Sequence, residues 1–447
     1  MNLATVRPVR QTRPNSCEHD VANSNIGAFG REGAIAVSVR VISFHHRLGG
    51  MLGHRYSEAF GLQRAAKQRG WDFVVFVRED ACDEVRAGLP GAHAVLHCPV
   101  FRSDLSFDER TADFAAMLHR HLDPIVQPDD WLLVTTGTQC ETRALATWLG
   151  ETPASRRPWT LVVFHNDRWN RFGPLERERQ VGEFRTAAAA LARLDGDAAR
   201  RLLVGAVVEE LCPELRTLLG REIHYVPHMK ASGEYVAPLE RTADEPAVVG
   251  FLGGARREKG AHLIPAIVAE TRKLGRVDFA VQIANEDLSP PALEELCRLE
   301  GQPGVRVAHG PLDFAVYRSF LAQCDLVLLP YERKSYRTRA SGPFIEACVM
   351  GRPAVVPVGT WMGDQVAAGR AAGLAYEGDD PATIAAEVMR AAASLPDLAA
   401  LAREHAPAWQ RTRTCDPFFD WLGRETGRRA ARPFDDDSTL LTEGFEQ

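Results

Sequence analysis

Short apolar runs recur along this chain, and helical patterns separate them. The first series lies at 34–44, 71–77, 131–135, 160–164 and 202–208, and the second at 248–252, 279–283, 305–308, 326–329 and 354–358. Strands alternating with helices build parallel sheets with helices on both faces. At 447 residues the chain exceeds what one hydrophobic core usually organises, so two Rossmann-like α/β units are expected. The Pro- and charge-containing stretch 237–246 is the expected division between them.

The most informative stretch runs from Tyr336 to Pro353, between the apolar runs at 324–330 and 354–358. It reads as strand, loop, helix, strand. Ser341 and Gly342 precede the helix, whose free N–H groups and positive dipole end favour an anion. Glu346 follows about one turn later. Amides for a diphosphate beside a carboxylate for ribose hydroxyls are what a nucleotide sugar requires. A second stretch, 248–262, joins an apolar run to Gly253-Gly254, Arg256 and Glu258-Lys259-Gly260.

Together these two stretches resemble the nucleotide-sugar site of retaining glycosyltransferases of the two-domain glycosyltransferase-B fold, the family that includes glycogen-synthase-like and sucrose-synthase-like enzymes. The resemblance implies two Rossmann-like doubly wound parallel-sheet domains facing a central cleft. It gives an acceptor-side domain at 33–235 and a nucleotide-sugar domain at 236–400, after a polar stretch at 1–32 that reads as a mobile arm. A helix at 401–431 crosses back onto the first domain, and an acidic, disordered tail occupies 432–447.

By the same resemblance, Lys259 binds the departing phosphate, with Arg256 or Arg257 beside it, and Glu346 receives the ribose hydroxyls. Gly49, Gly50, Gly253 and Gly254 are the glycines that approach the donor. Tyr336, Arg339, Ser341 and Gly342 form a variant of the donor motif, and backbone near His309 and Gly310 reads the base. His165 lies near the donor sugar. His54, beside the Gly49-Gly50 loop, and Trp169 are the acceptor-binding candidates, Trp169 as a stacking platform or else a residue packed beneath a loop. The family's first acid stands eight positions before Glu346, where this chain has Thr338. Pro343 lacks an amide N–H, so Ser341 and Gly342 carry the phosphate contacts.

A net charge of −6 argues against a nucleic-acid footprint, although basic patches leave room for peripheral membrane contact. No apolar run approaches the roughly 20 residues of a membrane span. The polar first 30 residues lack the apolar core of a secretory signal. Nine cysteines without Cys-x-x-Cys spacing read as buried small hydrophobes in a reducing compartment, so the cytoplasm is expected. No metal site is expected. Asp195-Gly196-Asp197 reads as a turn, and His45-His46 has no ligand at metal-binding spacing.

The expected function is metal-independent, retaining transfer of a sugar from a nucleotide-diphosphate sugar, with no further cofactor. The acceptor is a glycan, a lipid-linked group, a protein or a small molecule. The alternatives are a sugar-nucleotide epimerase of the same fold, which would need further cleft carboxylates, and a catalytically silent sugar-nucleotide-binding or scaffold subunit, which Thr338 would suit.

Overall fold

Two parallel sheets form the described part of the computed structural model, which covers residues 39–427 except 52, 53, 168, 170–172, 230–244, 286 and 313. The expected arm, the acidic tail and most of the dividing stretch lie outside the described residues, as does the start of the 34–44 run.

The first sheet contains β1 (Arg40–His45), β2 (Asp72–Arg78), β3 (His93–Leu96), β4 (Trp131–Gly137), β5 (Trp159–Phe164), β6 (Leu202–Ala206) and β7 (His224–Tyr225). Their spatial order is β3-β2-β1-β4-β5-β6-β7, all parallel. The second contains β8 (Val248–Phe251), β9 (Gly254–Ala255), β10 (Asp278–Asn285), β11 (Val305–His309), β12 (Leu326–Leu328), β13 (Ala354–Pro357) and β14 (Gly373–Tyr376). Its order is β11-β10-β8-β12-β13-β14, with β9 pairing onto β10.

Central strands such as Val41, Ile42, Leu132 and Leu133, or Val249, Phe251 and Val327, are buried along their length, which explains why they appear as continuous apolar runs. In each sheet the strand order reverses direction once, between β1 and β4 and between β8 and β12. The loops leaving these strands diverge there and open a crevice beyond the carboxyl ends, where ligands of open α/β sheets bind.

Four short strands, β3, β7, β9 and β14, escaped the sequence reading, and each has at most four residues. The single C-terminal helix expected over 401–431 is two helices, Leu395–Arg413 and Cys415–Glu425. Between them Thr414 is extended, with φ −106 and ψ 169, so the chain changes direction. Asp195 is also not a simple turn residue. It caps the short helix Gly196–Arg201 by accepting from Asp197 N and Ala198 N, and both its carboxylate and that of Asp197 pair with Arg157.

The first of the two C-terminal helices packs on the second sheet's layer, where the Trp409 ring meets Phe344 and Trp361 edge-on. The second packs on the first sheet's layer. There Phe419 lies against Trp71 and Trp131, and Arg69 binds the carboxylates of Asp416 and Asp420.

Candidate functional site

A cavity of about 850 Å³ opens at the switch points of both sheets. One wall comes from loops following β1, β4 and β5, and the other from loops following β8 and β12 with the start of the helix Gly342–Val349.

The second wall is built around glycines. Gly253 has φ +100, and a Cβ there would lie 3.2 Å from Lys259 Nζ and 3.3 Å from Pro343 Cγ. The ammonium group therefore lies over the glycine turn, beside the start of the helix Gly342–Val349. Gly260 has φ +72 and backs onto the Pro330 carbonyl, leaving no room for a side chain. That contact explains the glycine of the Glu-Lys-Gly stretch. Gly253 N donates to Gln282 Oε1 at 2.8 Å, and Gln282 Nε2 donates to the Gly310 carbonyl at 3.1 Å. A buried glutamine thus ties the glycine turn to the Gly310 loop. Gly254 and Gln282 also line the cavity.

Arg256 lines the cavity at 31% side-chain exposure, whereas Arg257 does not line it and gives its backbone N–H to Asp287. Of the two arginines, Arg256 is the one facing the cleft. Glu258 holds Arg339 at 2.7 Å and approaches Arg256 at 3.6 Å. The Arg339 guanidinium also lies 4.7 Å from the centre of the Tyr336 ring. Arg339 is therefore a fixed part of the wall, with its charge shared with Glu258.

Ser341 caps the helix Gly342–Val349 by accepting from Phe344 N at 3.3 Å. Ser341, Gly342 and Glu346 all line the cavity. Tyr317 stands beside Glu346, and burial together with that carboxylate holds its hydroxyl protonated well beyond the ordinary range. Tyr336 is 2% exposed and packs on Tyr331 with ring centres 4.4 Å apart. Thr338 is buried and does not line the cavity, so no acid stands there to meet a sugar.

On the first wall, His165 follows β5 and donates from Nε2 to the Thr135 carbonyl, which leaves Nδ1 with the lone pair. Burial, opposed in part by that bond, lowers its pKa to about 3, so the ring is neutral at pH 7. Its ring meets His228 edge-on, with centres 4.9 Å apart. Glu58, His165 and His228 each bring a ligand atom within 4.8 Å of the others, a donor set that fits a divalent transition metal. The sequence reading missed this cluster because its members come from distant segments.

The His45-His46 pair is part of the framework. Ser43 Oγ lies 2.7 Å from His45 Nε2, and His46 pairs with Glu141 at 2.9 Å in full burial. Glu141 also receives Arg47 at 2.8 Å. Burial pushes the Glu141 carboxyl upward, but Arg47 and His46 overcome it and hold its pKa at about 2.

Several expected contacts fall elsewhere. Gly49 and Gly50 do not line the cavity, although Arg47 and Met51 do. A Cβ at Gly49 would meet Arg78, and one at Gly50 would meet nothing within 4 Å. His309 is half exposed, pairs with Glu300 at 3.0 Å and does not line the cavity. Trp169 reaches the cavity lining, but it is 4% exposed, donates to Glu214 at 2.9 Å and packs on Phe184. Its indole is committed to the core rather than offered as a stacking platform. His54 begins the helix His54–Gln68, and its side chain lies outside the described residues.

No family model and no curated protein matches this chain. Solved structures do match its fold. Sucrose-phosphate synthase from Thermosynechococcus elongatus is 14% identical, with 87% of this chain and 98% of that one covered, at a TM-score of 0.59. The catalytic domain of starch synthase IV from Arabidopsis thaliana, bound to ADP and acarbose, is 13% identical over 88% of this chain and 99% of its own, at 0.61. Anabaena HepE in complex with UDP-glucose is 13% identical over 87% and 99%, at 0.58. Two parallel sheets, a shared cleft at their switch points and these likenesses establish that the chain has the glycosyltransferase-B fold.

Proposed function

We propose that this protein transfers a sugar from a nucleotide-diphosphate sugar to an acceptor with retention of anomeric configuration and without a metal ion. The observation that carries the reading is the seat of Lys259 Nζ over Gly253 beside the helix Gly342–Val349, with Glu346 on the same helix and Arg256 on the same wall. Lys259, Arg256 and the amide of Gly342 meet the diphosphate, and Glu346 meets the ribose. As the bond from the anomeric carbon to the phosphate oxygen breaks, negative charge grows on the leaving group. Preorganised cations there stabilise the transition state most.

Front-face return fits this site better than a covalent sugar–enzyme intermediate. The lining carboxylates of the first wall are engaged: Glu176 by Arg179, and Glu183 by Arg110 and Gln139. In front-face return the acceptor hydroxyl passes its proton to the departing phosphate oxygen as its own oxygen bonds to the anomeric carbon. His165, neutral and held by Thr135, lines the face where the sugar would lie. The UDP-glucose bound by HepE and the ADP bound by starch synthase IV suggest which donors to try.

A thermal-stabilisation panel of UDP-, ADP- and GDP-sugars tests the donor reading, followed by product analysis with and without chelator. Stabilisation by one nucleotide sugar and turnover that survives chelation support it. Loss of turnover restored by a divalent ion would transfer catalysis to the Glu58–His165–His228 cluster. Tight donor binding with neither transfer nor hydrolysis would favour the silent-subunit reading, which the absence of an acid at Thr338 also supports.

A further inference from the structure

We infer that the acceptor carries a phosphate group, bound on the first wall of the cleft by Arg55 with Arg47 beside it. This rests on the transferase reading above. Eight residues lining the cleft are Arg or Lys and three are Glu, in a chain whose net charge is −6. Such a local excess against the overall sign marks an anion-binding surface. The second wall's cations have an assignment in the donor diphosphate, and Arg339 is held by Glu258.

Arg55 has no such assignment. It lies in the first turn of the helix His54–Gln68, lines the cavity, and alone among those eight cations has a side chain that makes no hydrogen bond or ion pair with any described residue. Its Nε is buried without an acceptor. Glu58 attracts it without forming an ion pair, whereas Arg47 and Arg256 repel it. Burial, then Arg47, lower its pKa to about 10, which leaves it charged at neutral pH in a place where the charge is costly. A half-buried cation without a counter-ion is a standing cost, and an arriving anion would remove it. A planar guanidinium suits phosphate oxygens in paired contacts.

The test uses the full chain. Calorimetry without donor compares glucose with glucose 6-phosphate, and a polyprenyl-phosphate-linked sugar in micelles forms a further arm. Binding of either phosphorylated compound, but not of glucose, is the expected result, and the two arms separate a soluble from a lipid-borne acceptor. Arg55→Gln should weaken that binding, and raise the acceptor KM, by at least about tenfold. Nucleotide-sugar Kd should change less than about twofold, and the melting temperature should hold or rise, because an uncompensated charge is removed.

Equal binding of glucose and its phosphate would overturn the inference. So would an Arg55→Gln variant whose defect lies in nucleotide-sugar Kd with acceptor binding intact, which would assign Arg55 to the donor. Failure of the transferase reading is a different result: no nucleotide sugar stabilises the chain, while the phosphate-binding arm can still be read.

Discussion

Replacing Gly260 by Ala should distort the second wall of the cleft. At φ +72 an L-residue pays roughly 1–2 kcal/mol in backbone strain. The added Cβ would sit 2.0 Å from the Pro330 oxygen and 2.9 Å from its carbonyl carbon. Both are backbone atoms just beyond β12, so relief requires the Lys259 turn to move away from that strand. Overpacking of this kind adds about 1–3 kcal/mol, for a total of roughly 2–5 kcal/mol. For a unit of this size the melting temperature should fall by roughly 4–20 °C. Donor turnover should fall as well, since Lys259 is the preceding residue. Gly50→Ala is the matched control: φ is not positive and a Cβ meets nothing within 4 Å, so its effect should stay within about 0.5 kcal/mol. A Gly260→Ala protein that melts and turns over like the wild type would refute the reasoning, because the turn would then not be braced against Pro330.

Lys259→Met should lower kcat on the order of 10²-fold or more with a much smaller change in nucleotide-sugar Kd, as single-turnover kinetics and calorimetry would read; wild-type turnover would remove Lys259 from the chemistry. Glu346→Ala should weaken nucleotide binding by about 1.5–3 kcal/mol in a folded protein, and unchanged affinity in calorimetry would put the carboxylate outside the ribose site. Stability should fall with acidification below pH 6.5, because burial lowers His45 and His165 to about 3 and also lowers His46. Above 6.5 neither state binds these protons; below it the unfolded chain does and the folded one does not, costing up to about 1.4 kcal/mol per pH unit per histidine. A melting temperature flat from pH 7 to 5 would contradict that burial.

The wall carrying Gly253 and Lys259 was legible because its determinants are local. Gly253, Lys259, Gly260 and Ser341 act within a strand–turn–helix unit whose order is the order of the chain. Gly49-Gly50 misled for a related reason: a glycine pair announces backbone freedom, but neither φ uses it. Arg55, Gln282, Tyr317 and the Glu58–His165–His228 cluster were missed because their surroundings come from remote segments, and nothing in their own neighbourhoods signals them. Trp169 illustrates the opposite error, since an aromatic beside a loop looks the same in sequence whether it faces a ligand or, as here, Phe184. The break at Thr414 did leave a signal, Pro417 in the first turn of the following helix, which the reading passed over.

The return of the last helix has a consequence for how this protein can be made. Trp71 and Trp131 belong to the early part of the sequence, yet the ring that covers them, Phe419, is among the last to be synthesised. His224 at the sheet edge likewise meets Trp421 and Glu425. On the ribosome the first sheet would wait with an aromatic face uncovered until Cys415–Glu425 emerges, a window in which a chaperone has something to hold. A fragment cut between the two sheets would keep that face exposed permanently, and should be soluble only if the terminal helix is supplied in trans.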